Sequence, residues 1–148
     1  MNSVVGKEIL KMISPTINCQ VRDVFSVPVL QDIFENEEIS RLVESNIELM
    51  RDDWDSFETS WDFEIHPLVR LMSFYKMERE SDAKQKIVDM NYIKEAFTNW
   101  SNECYFRFQK LKENDESLNR IFIEIYGLEN ELIVDVEEKD VADRKSVV

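Results

Sequence analysis

The chain has 148 residues, of which 43% are hydrophobic and 11% aromatic, enough to build the core of one folded domain. Its 31 acidic and 18 basic residues give a formal charge of −13, which argues against direct DNA binding because phosphate contacts come largely from Lys and Arg. Two glycines and three prolines are too few for a many-turned sandwich or barrel, so long helices are favoured.

The sequence of residues 1–34 predicts a short helix followed by an extended segment. Val4 to Ile13 has apolar side chains spaced to share one helical face, and Pro15 disfavours continuation of that helix. Within Thr16 to Leu30, Ile17, Cys19 and Val21 alternate with polar residues, and further apolar residues follow, a pattern typical of short β-strands with a turn near Arg22. The first part of the chain therefore predicts one helix and a short β segment.

Residues 35–136 predict a helical domain. Asn36 stands before two glutamates and suits the N-cap of a helix that runs to about Arg51. A further helix is predicted to begin at Pro67, with His66 at its start. The charged run from residue 76 to residue 86 is compatible with either a helix or a mobile link.

Between these two helices, residues 52–63 set aromatic side chains among acids. The apolar positions follow neither the helical nor the strand period for long, which predicts an ordered connector whose rings pack into the core. The rings in question are Trp54, Phe57, Trp61 and Phe63.

The stretch from Asp82 to Gly127 predicts the central element, a long amphipathic helix that turns at Asn114 and returns as a shorter one. Apolar residues recur every three or four positions along the first arm, at Ile87, Met90, Ile93, Phe97, Trp100, Cys104, Phe108 and Leu111. The second arm repeats the spacing, and Gly127 suits the left-handed residue that ends a helix. The predicted fold class is therefore mainly α, a helical hairpin or bundle with a short β segment near the N-terminus. Residues 137–148 are predicted to form a flexible tail.

Two patterns resemble functional sites, and each has a plainer interpretation. Acids around the single histidine, His66, resemble a divalent-metal or general acid/base site, but a solvated acidic face is the favoured interpretation. Aromatic residues of the long helix resemble a platform for stacking unpaired bases, but those on its apolar stripe are better explained as core. Phe106 lies off that stripe and predicts a second contact surface. We predict no catalytic, cofactor-binding or metal-binding residue, and structural or partner-docking roles for Trp54, Phe57, Trp61 and Phe106.

The sequence contains neither a signal-peptide pattern nor an apolar run long enough to cross a membrane, so a cytoplasmic protein without a membrane partner is expected. Its two cysteines lack metal-ligand spacing. Cys104 falls on the apolar stripe, which predicts a buried, reduced thiol.

Three runs of sequence resemble one family. DWDSFETSWDF at residues 53–63, followed by HPL at 66–68, is similar to a run in the PglX-type adenine-specific DNA methyltransferases of BREX phage-defence systems and in related restriction-enzyme methylase subunits. PTINCQVRDV at residues 15–24, followed by VPV, resembles the family's NPTINFQVGDI followed by IPI. NRIFIEIYGL at residues 119–128 resembles the family's helix end NRIFIDIYGL. Ser14, Cys19 and Arg22 depart from the family's asparagine, phenylalanine and glycine.

The resemblance implies a protein of N6-adenine methylation that uses S-adenosylmethionine in restriction-modification or phage defence. This chain lacks the family's catalytic Asn-Pro-Pro-Tyr or Asp-Pro-Pro-Tyr motif and a glycine-bearing methyl-donor loop, so it is expected to be inactive alone and to bind no cofactor. The matched region follows the family's catalytic domain, and a truncated, split or excised product is expected.

The leading hypothesis is a non-catalytic helical fragment that braces the catalytic and DNA-recognition parts. Its partner would be the remainder of the methyltransferase or another defence-system protein, with DNA contacted only indirectly. The alternative is a stand-alone acidic interaction module or DNA mimic, and an enzyme acting through the acidic cluster ranks third.

Overall fold

The computed structural model describes residues 3–15, 20–81, 91–138 and 140–141. The described residues are mainly helical and contain no strand, which confirms the predicted helical class. The helices are α1 (Val4–Ile13), α2 (Val21–Phe25), α3 (Asp32–Glu35), α4 (Glu37–Trp54), α5 (Pro67–Ser81) and α6 (Asn91–Tyr126). Within those described ranges, no helix has the length and apolar character needed to span a membrane.

Helix α1 has the predicted limits. The Ser3 hydroxyl accepts a hydrogen bond from the Gly6 N–H at 3.2 Å and caps the first turn. The helix ends at Ile13, shortly before Pro15, where the sequence predicted its end.

The β segment predicted near the N-terminus is wrong for its described part, residues 20–30. The backbone N–H of Gln20 donates to the Asp23 carboxylate at 2.9 Å, which starts the short helix α2. Val21, Val24 and Phe25 have the i, i+3, i+4 spacing of a helix and do not alternate, and the local cap starts that helix. Residues 16–19 of that prediction lie outside the described residues.

The residues predicted to start α4 and α5 are confirmed. The side-chain oxygen of Asn36 accepts hydrogen bonds from the N–H groups of Glu38 (2.9 Å) and Ile39 (3.2 Å) at the start of α4. Helix α4 continues past the predicted end to Trp54. At the start of α5, Nδ1 of His66 accepts from the Leu68 N–H at 3.2 Å, so this imidazole serves as the helix-start residue that was predicted.

The predicted hairpin over residues 82–127 is wrong where the structure describes it. Helix α6 runs unbroken from Asn91 to Tyr126 and passes through Asn114, the predicted turn. Asn114 is 2% exposed, and its amide donates to Ser45 Oγ at 3.2 Å and Asn46 Oδ1 at 2.8 Å. The side chain therefore has partners on α4 and does not compete with the helical backbone. Residues 82–90 of the prediction lie outside the described residues.

Helix α6 ends at the predicted glycine. Gly127 has a φ of +66°, the left-handed conformation that closes a Schellman motif. The Leu128 N–H donates to the Ile123 carbonyl at 2.9 Å, and the Gly127 N–H donates to the Glu124 carbonyl at 3.1 Å. The Tyr126 hydroxyl also donates to the Pro28 carbonyl at 2.6 Å, joining the end of α6 to the segment after α2.

The chain divides into two compact units, and α4 and α6 contribute residues to both. The first unit comprises Met1–Asn46 and Leu111–Val141. Its buried apolar side chains include Val5, Ile39, Leu111, Leu118, Ile123 and Val141. The buried amide of Asn119 accepts from the Val4 N–H at 2.9 Å and donates to the Val134 carbonyl at 3.2 Å. This one side chain connects α1, α6 and the segment after α6.

The second unit comprises Ile47–Lys110 and Ala142–Val148, and its described core is built on the first part of α6. The buried apolar residues there are Ala96, Trp100, Cys104 and Phe108. Trp100, Cys104 and Phe108 confirm that part of the predicted apolar stripe, whereas Ala96 was not predicted on it. Phe97 departs from it, since its ring is 43% exposed and lies edge-on to Trp100 with centroids 6.0 Å apart.

Candidate interaction surface

The connector between α4 and α5, residues 55–66, has its conformation set by serine hydroxyls. Ser56 is buried and donates to the Asp52 carbonyl at 2.7 Å. Ser60 donates to the Asp55 carboxylate at 2.5 Å and accepts from the Asp62 N–H at 3.1 Å. The bonds between the serine hydroxyls and the backbone of Asp52 and Asp62 are of the kind that short polar residues supply in turns. The connector is thus an ordered loop, as predicted.

Aromatic contacts attach this loop to the core of the second unit. The ring of Phe57 meets the imidazole of His66 edge-on, with centroids 6.0 Å apart. The imidazole of His66 in turn lies 5.0 Å from the buried indole of Trp100 at an interplanar angle of 64°. Edge-to-face pairs of this kind add to the stabilisation from burial alone. Phe57 and His66 therefore anchor the two ends of the loop.

The prediction that the connector's tryptophans pack into the core is wrong. Trp61 is 100% exposed and Trp54, the last residue of α4, is 45% exposed. Phe57 and Phe63 are intermediate in exposure. The buried Ser56 and the half-buried Ser60 occupy the inward-facing part of the turn instead, because their hydroxyls satisfy backbone and carboxylate groups there. The indole of Trp61 is left on the surface.

The loop is acidic throughout. Between Arg51 and Arg70 the sequence has six acids and no Lys or Arg: Asp52, Asp53, Asp55, Glu58, Asp62 and Glu64. Glu58, Asp62 and Glu64 are exposed, so the surface around Trp61 carries negative charge.

Asp53 has a cationic partner within the second unit. Its carboxylate is 3.1 Å from a guanidinium nitrogen of Arg107, and both side chains are largely covered. Cys104, one turn before Arg107 on α6, is a free and buried thiol, as predicted. Burial raises the pKa of Cys104, and the guanidinium of Arg107 opposes that rise while Asp53 adds to it. The thiol is therefore kept in its protonated, unreactive form.

Phe106, the remaining predicted docking residue, lies on α6 and is 69% exposed. Its ring pairs edge-on with that of Tyr105, with centroids 6.1 Å apart. Phe57, another predicted docking residue, is only partly exposed, and its ring contacts His66 within the loop. The exposed rings of Trp54, Trp61 and Phe106 are compatible with partner docking, which stays a prediction.

The sequence analysis did not predict a polar network in the first unit. The Asn46 amide donates to the Asp115 carboxylate at 2.9 Å and accepts from Asn114 at 2.8 Å. Burial raises the pKa of Asp115, and the hydrogen bond from Asn46 and the charge of Lys7 partly oppose this. The sequence signal for this network is Asn114, a polar residue on the apolar stripe three residues after Leu111. The sequence analysis assigned it to a turn.

The acids near His66 form no metal centre in the described structure. Across the described ranges, no three His, Cys, Asp or Glu side chains cluster in a way that would hold a metal ion. The individual contacts show what several of these groups do: Asp53 pairs with Arg107, Asp55 accepts from Ser60, and His66 caps α5.

These residues define a mainly helical module with an aromatic and acidic surface loop. Its sequence is 34% identical over 146 residues to the adenine-specific methyltransferase PglX of Lacticaseibacillus casei (strain Zhang), covering 99% of this chain and 11% of that protein. It is 26% identical over 131 residues to the adenine-specific methyltransferase BrxX of Escherichia coli O9:H4 (strain HS), covering 88% of this chain and 9% of that protein.

The chain is thus related, over nearly its whole length, to one segment of the PglX-type adenine-specific methyltransferases, and the predicted resemblance is confirmed. It spans about a tenth of the length of the curated relatives it matches. No known family profile matches the chain. No solved structure matches it either.

Proposed function

We propose that this chain is a non-catalytic helical part of an N6-adenine-specific DNA methyltransferase, acting in restriction-modification or BREX phage defence. Its role is to brace the parts of the enzyme that carry catalysis and DNA recognition. The observation that carries this proposal is the 34% identity to PglX along 99% of the chain, within only 11% of the longer protein.

The chemistry of the chain supports a structural role. A methyltransferase acting on adenine must hold the extruded base with a polar side chain and a stacked ring, the task of the Asn-Pro-Pro-Tyr motif that this sequence lacks. The buried polar side chains described in the first unit are instead engaged in joining helices. Asn114 joins α6 to α4, and Asn119 joins α6 to α1.

A replacement experiment in the Lacticaseibacillus casei PglX tests this role. Removing the matched segment is expected to abolish N6-methyladenine formation in cellular DNA, and inserting this chain at the same place is expected to restore it. An unrelated helical domain of similar length serves as the control insert. Unchanged methylation after removal of the segment would refute a bracing role.

Calorimetry with S-adenosylmethionine tests the non-catalytic part of the proposal. The purified chain is expected to give no binding heat with the methyl donor. Binding in the micromolar range would contradict the assignment and would favour a cofactor-binding function.

The formal charge of −13 favours one alternative, a DNA mimic whose carboxylates imitate phosphates. The purified chain, added to the intact Lacticaseibacillus casei PglX, distinguishes the two functions. A mimic inhibits methylation competitively with DNA, and raising the DNA concentration relieves the inhibition. A bracing segment supplied in this way leaves the rate unchanged, because the intact enzyme already has its own.

A further inference from the structure

We infer that the loop around Trp61 is the docking surface of this segment, with Trp61 inserting into an apolar pocket rimmed by Lys and Arg on the remainder of the methyltransferase. The inference rests on the proposed function and names the partner and the contact through which the bracing acts.

The exposure of Trp61 is the first observation. A tryptophan side chain offers about 150 to 250 Å² of largely apolar surface, and all of that surface faces solvent at this position. Tryptophan is among the residue types most enriched at the energetic centres of protein interfaces. The fold buries Trp100 almost completely but leaves the indole of Trp61 fully exposed. Trp61 therefore contributes strongly to binding once a partner covers it.

The second observation is that the exposed position is held in place before any partner arrives. The hydroxyl of Ser60, which precedes Trp61, donates to the Asp55 carboxylate and accepts from the Asp62 N–H, and these two bonds fix the turn that carries Trp61. Phe57 and His66 attach the flanks of the loop through their edge-on contact. A side chain presented on an ordered loop loses less conformational entropy on binding than one on a flexible segment.

Charge then selects the kind of partner. Glu58, Asp62 and Glu64 are exposed around the indole, and the loop has no Lys or Arg between Arg51 and Arg70. A nucleic acid is repelled by this surface, since its phosphates carry the same charge. A second copy of the loop is repelled for the same reason. The complementary surface is an apolar pocket with a cationic rim on a protein.

The remainder of a DNA methyltransferase fits that description. Proteins that act on DNA gather Lys and Arg on the surfaces that approach phosphates. The matched relatives carry the segment in one polypeptide with about nine-tenths of their length outside the matched region. We expect the Lys and Arg that approach DNA to lie in that remaining part. The acidic loop therefore docks on a basic surface of its own enzyme.

The test uses the PglX protein in which this chain replaces the matched segment. Replacing Trp61 by the photoreactive residue p-benzoyl-phenylalanine places a crosslinker at the proposed contact. Irradiation followed by peptide mapping is expected to join position 61 to an apolar site flanked by Lys and Arg outside the inserted chain. The matched control places the same crosslinker at Phe25, which is 84% exposed in the other unit and is expected to give no such product.

Two substitutions in the same chimera measure the contribution of the contact. Trp61→Ala is expected to lower N6-adenine methylation at least about tenfold, as loss of an interface centre does. The pair Asp62→Lys and Glu64→Lys is expected to lower it as well, by placing positive charge against a positive rim. The matched controls, Glu129→Lys with Glu131→Lys, reverse exposed acids of the first unit and are expected to leave methylation unchanged.

The outcomes separate this inference from the function on which it rests. A chimera that methylates fully with Trp61→Ala and gives no crosslink from position 61 refutes the docking surface and leaves the bracing role intact. A wild-type chimera that restores no methylation overturns both. Circular dichroism of the isolated variants confirms that they fold, so a loss of methylation reports on the contact.

Discussion

Trp100 and Trp61 carry the same side chain in opposite environments, which makes their replacement by alanine a matched test of the packing described here. Trp100 is 7% exposed and lies 5.0 Å from the ring of His66, whereas Trp61 is 100% exposed. A tryptophan side chain presents about 200 Å², so at about 25 cal/mol per Å² the burial of Trp100 contributes at most about 5 kcal/mol.

Trp100→Ala is expected to lower the free energy of unfolding by about 3 to 5 kcal/mol, because the cavity left behind adds to the lost apolar burial. Trp61→Ala is expected to lower it by less than about 0.5 kcal/mol, as surface substitutions usually do. Urea denaturation followed by far-ultraviolet circular dichroism measures both without using the tryptophans as the signal. Equal losses in the two variants, or a loss below about 1 kcal/mol for Trp100→Ala, would refute the assigned packing.

Three further expectations follow from polar groups that are buried or partly buried. Asn119→Ala removes both hydrogen bonds of a buried amide and is expected to cost about 1 to 3 kcal/mol in the same urea melts, while Asn130→Ala, at an exposed position, is nearly neutral. Burial raises the folded-state pKa of Asp115, so its contribution to stability is present below the usual aspartate pKa and is lost as the pH rises through the raised value. Asp115→Asn is therefore expected to raise the free energy of unfolding at neutral pH and to weaken its pH dependence; a lower stability at neutral pH would contradict this. The buried thiol of Cys104, whose pKa burial raises, is expected to react with iodoacetamide far more slowly in the folded chain than in urea, as peptide mapping would show, and equal rates would place it at the surface.

Local signals in the sequence predicted the helix ends well. Asn36 caps α4, His66 accepts at the start of α5, and Gly127 closes α6 with a positive φ, each as its residue type indicated. These positions are predictable because the chemistry of a cap involves groups within a few residues of one another. The apolar spacing of Trp100, Cys104 and Phe108 likewise predicted the buried stripe.

The errors have different causes: contacts with another helix decide the outcome at Asn114, and local polar contacts decide it in the loop that carries Trp61. Asn114 was predicted to turn the chain, and it stays helical because Ser45 and Asn46 on another helix satisfy its amide. Trp61 was predicted to be buried because it is large and apolar, yet nearby serines occupy the inward positions of its loop. The docking roles predicted for the aromatic residues stay predictions, since they depend on a partner surface.

Two carboxamides on the packed face of one helix have a consequence for the uniqueness of the fold. Hydrophobic contacts alone discriminate poorly between neighbouring packing positions of a long amphipathic helix. If the helix slides or rotates against its neighbours, one apolar side chain simply takes the place of another. Asn114 and Asn119 impose a penalty on such shifts, because each misplaced amide would sit without a partner at a cost of about 1 to 3 kcal/mol. With leucine at positions 114 and 119, the packed face of α6 would be uniformly apolar. Several alignments of the helix against its neighbours would then have nearly the same free energy.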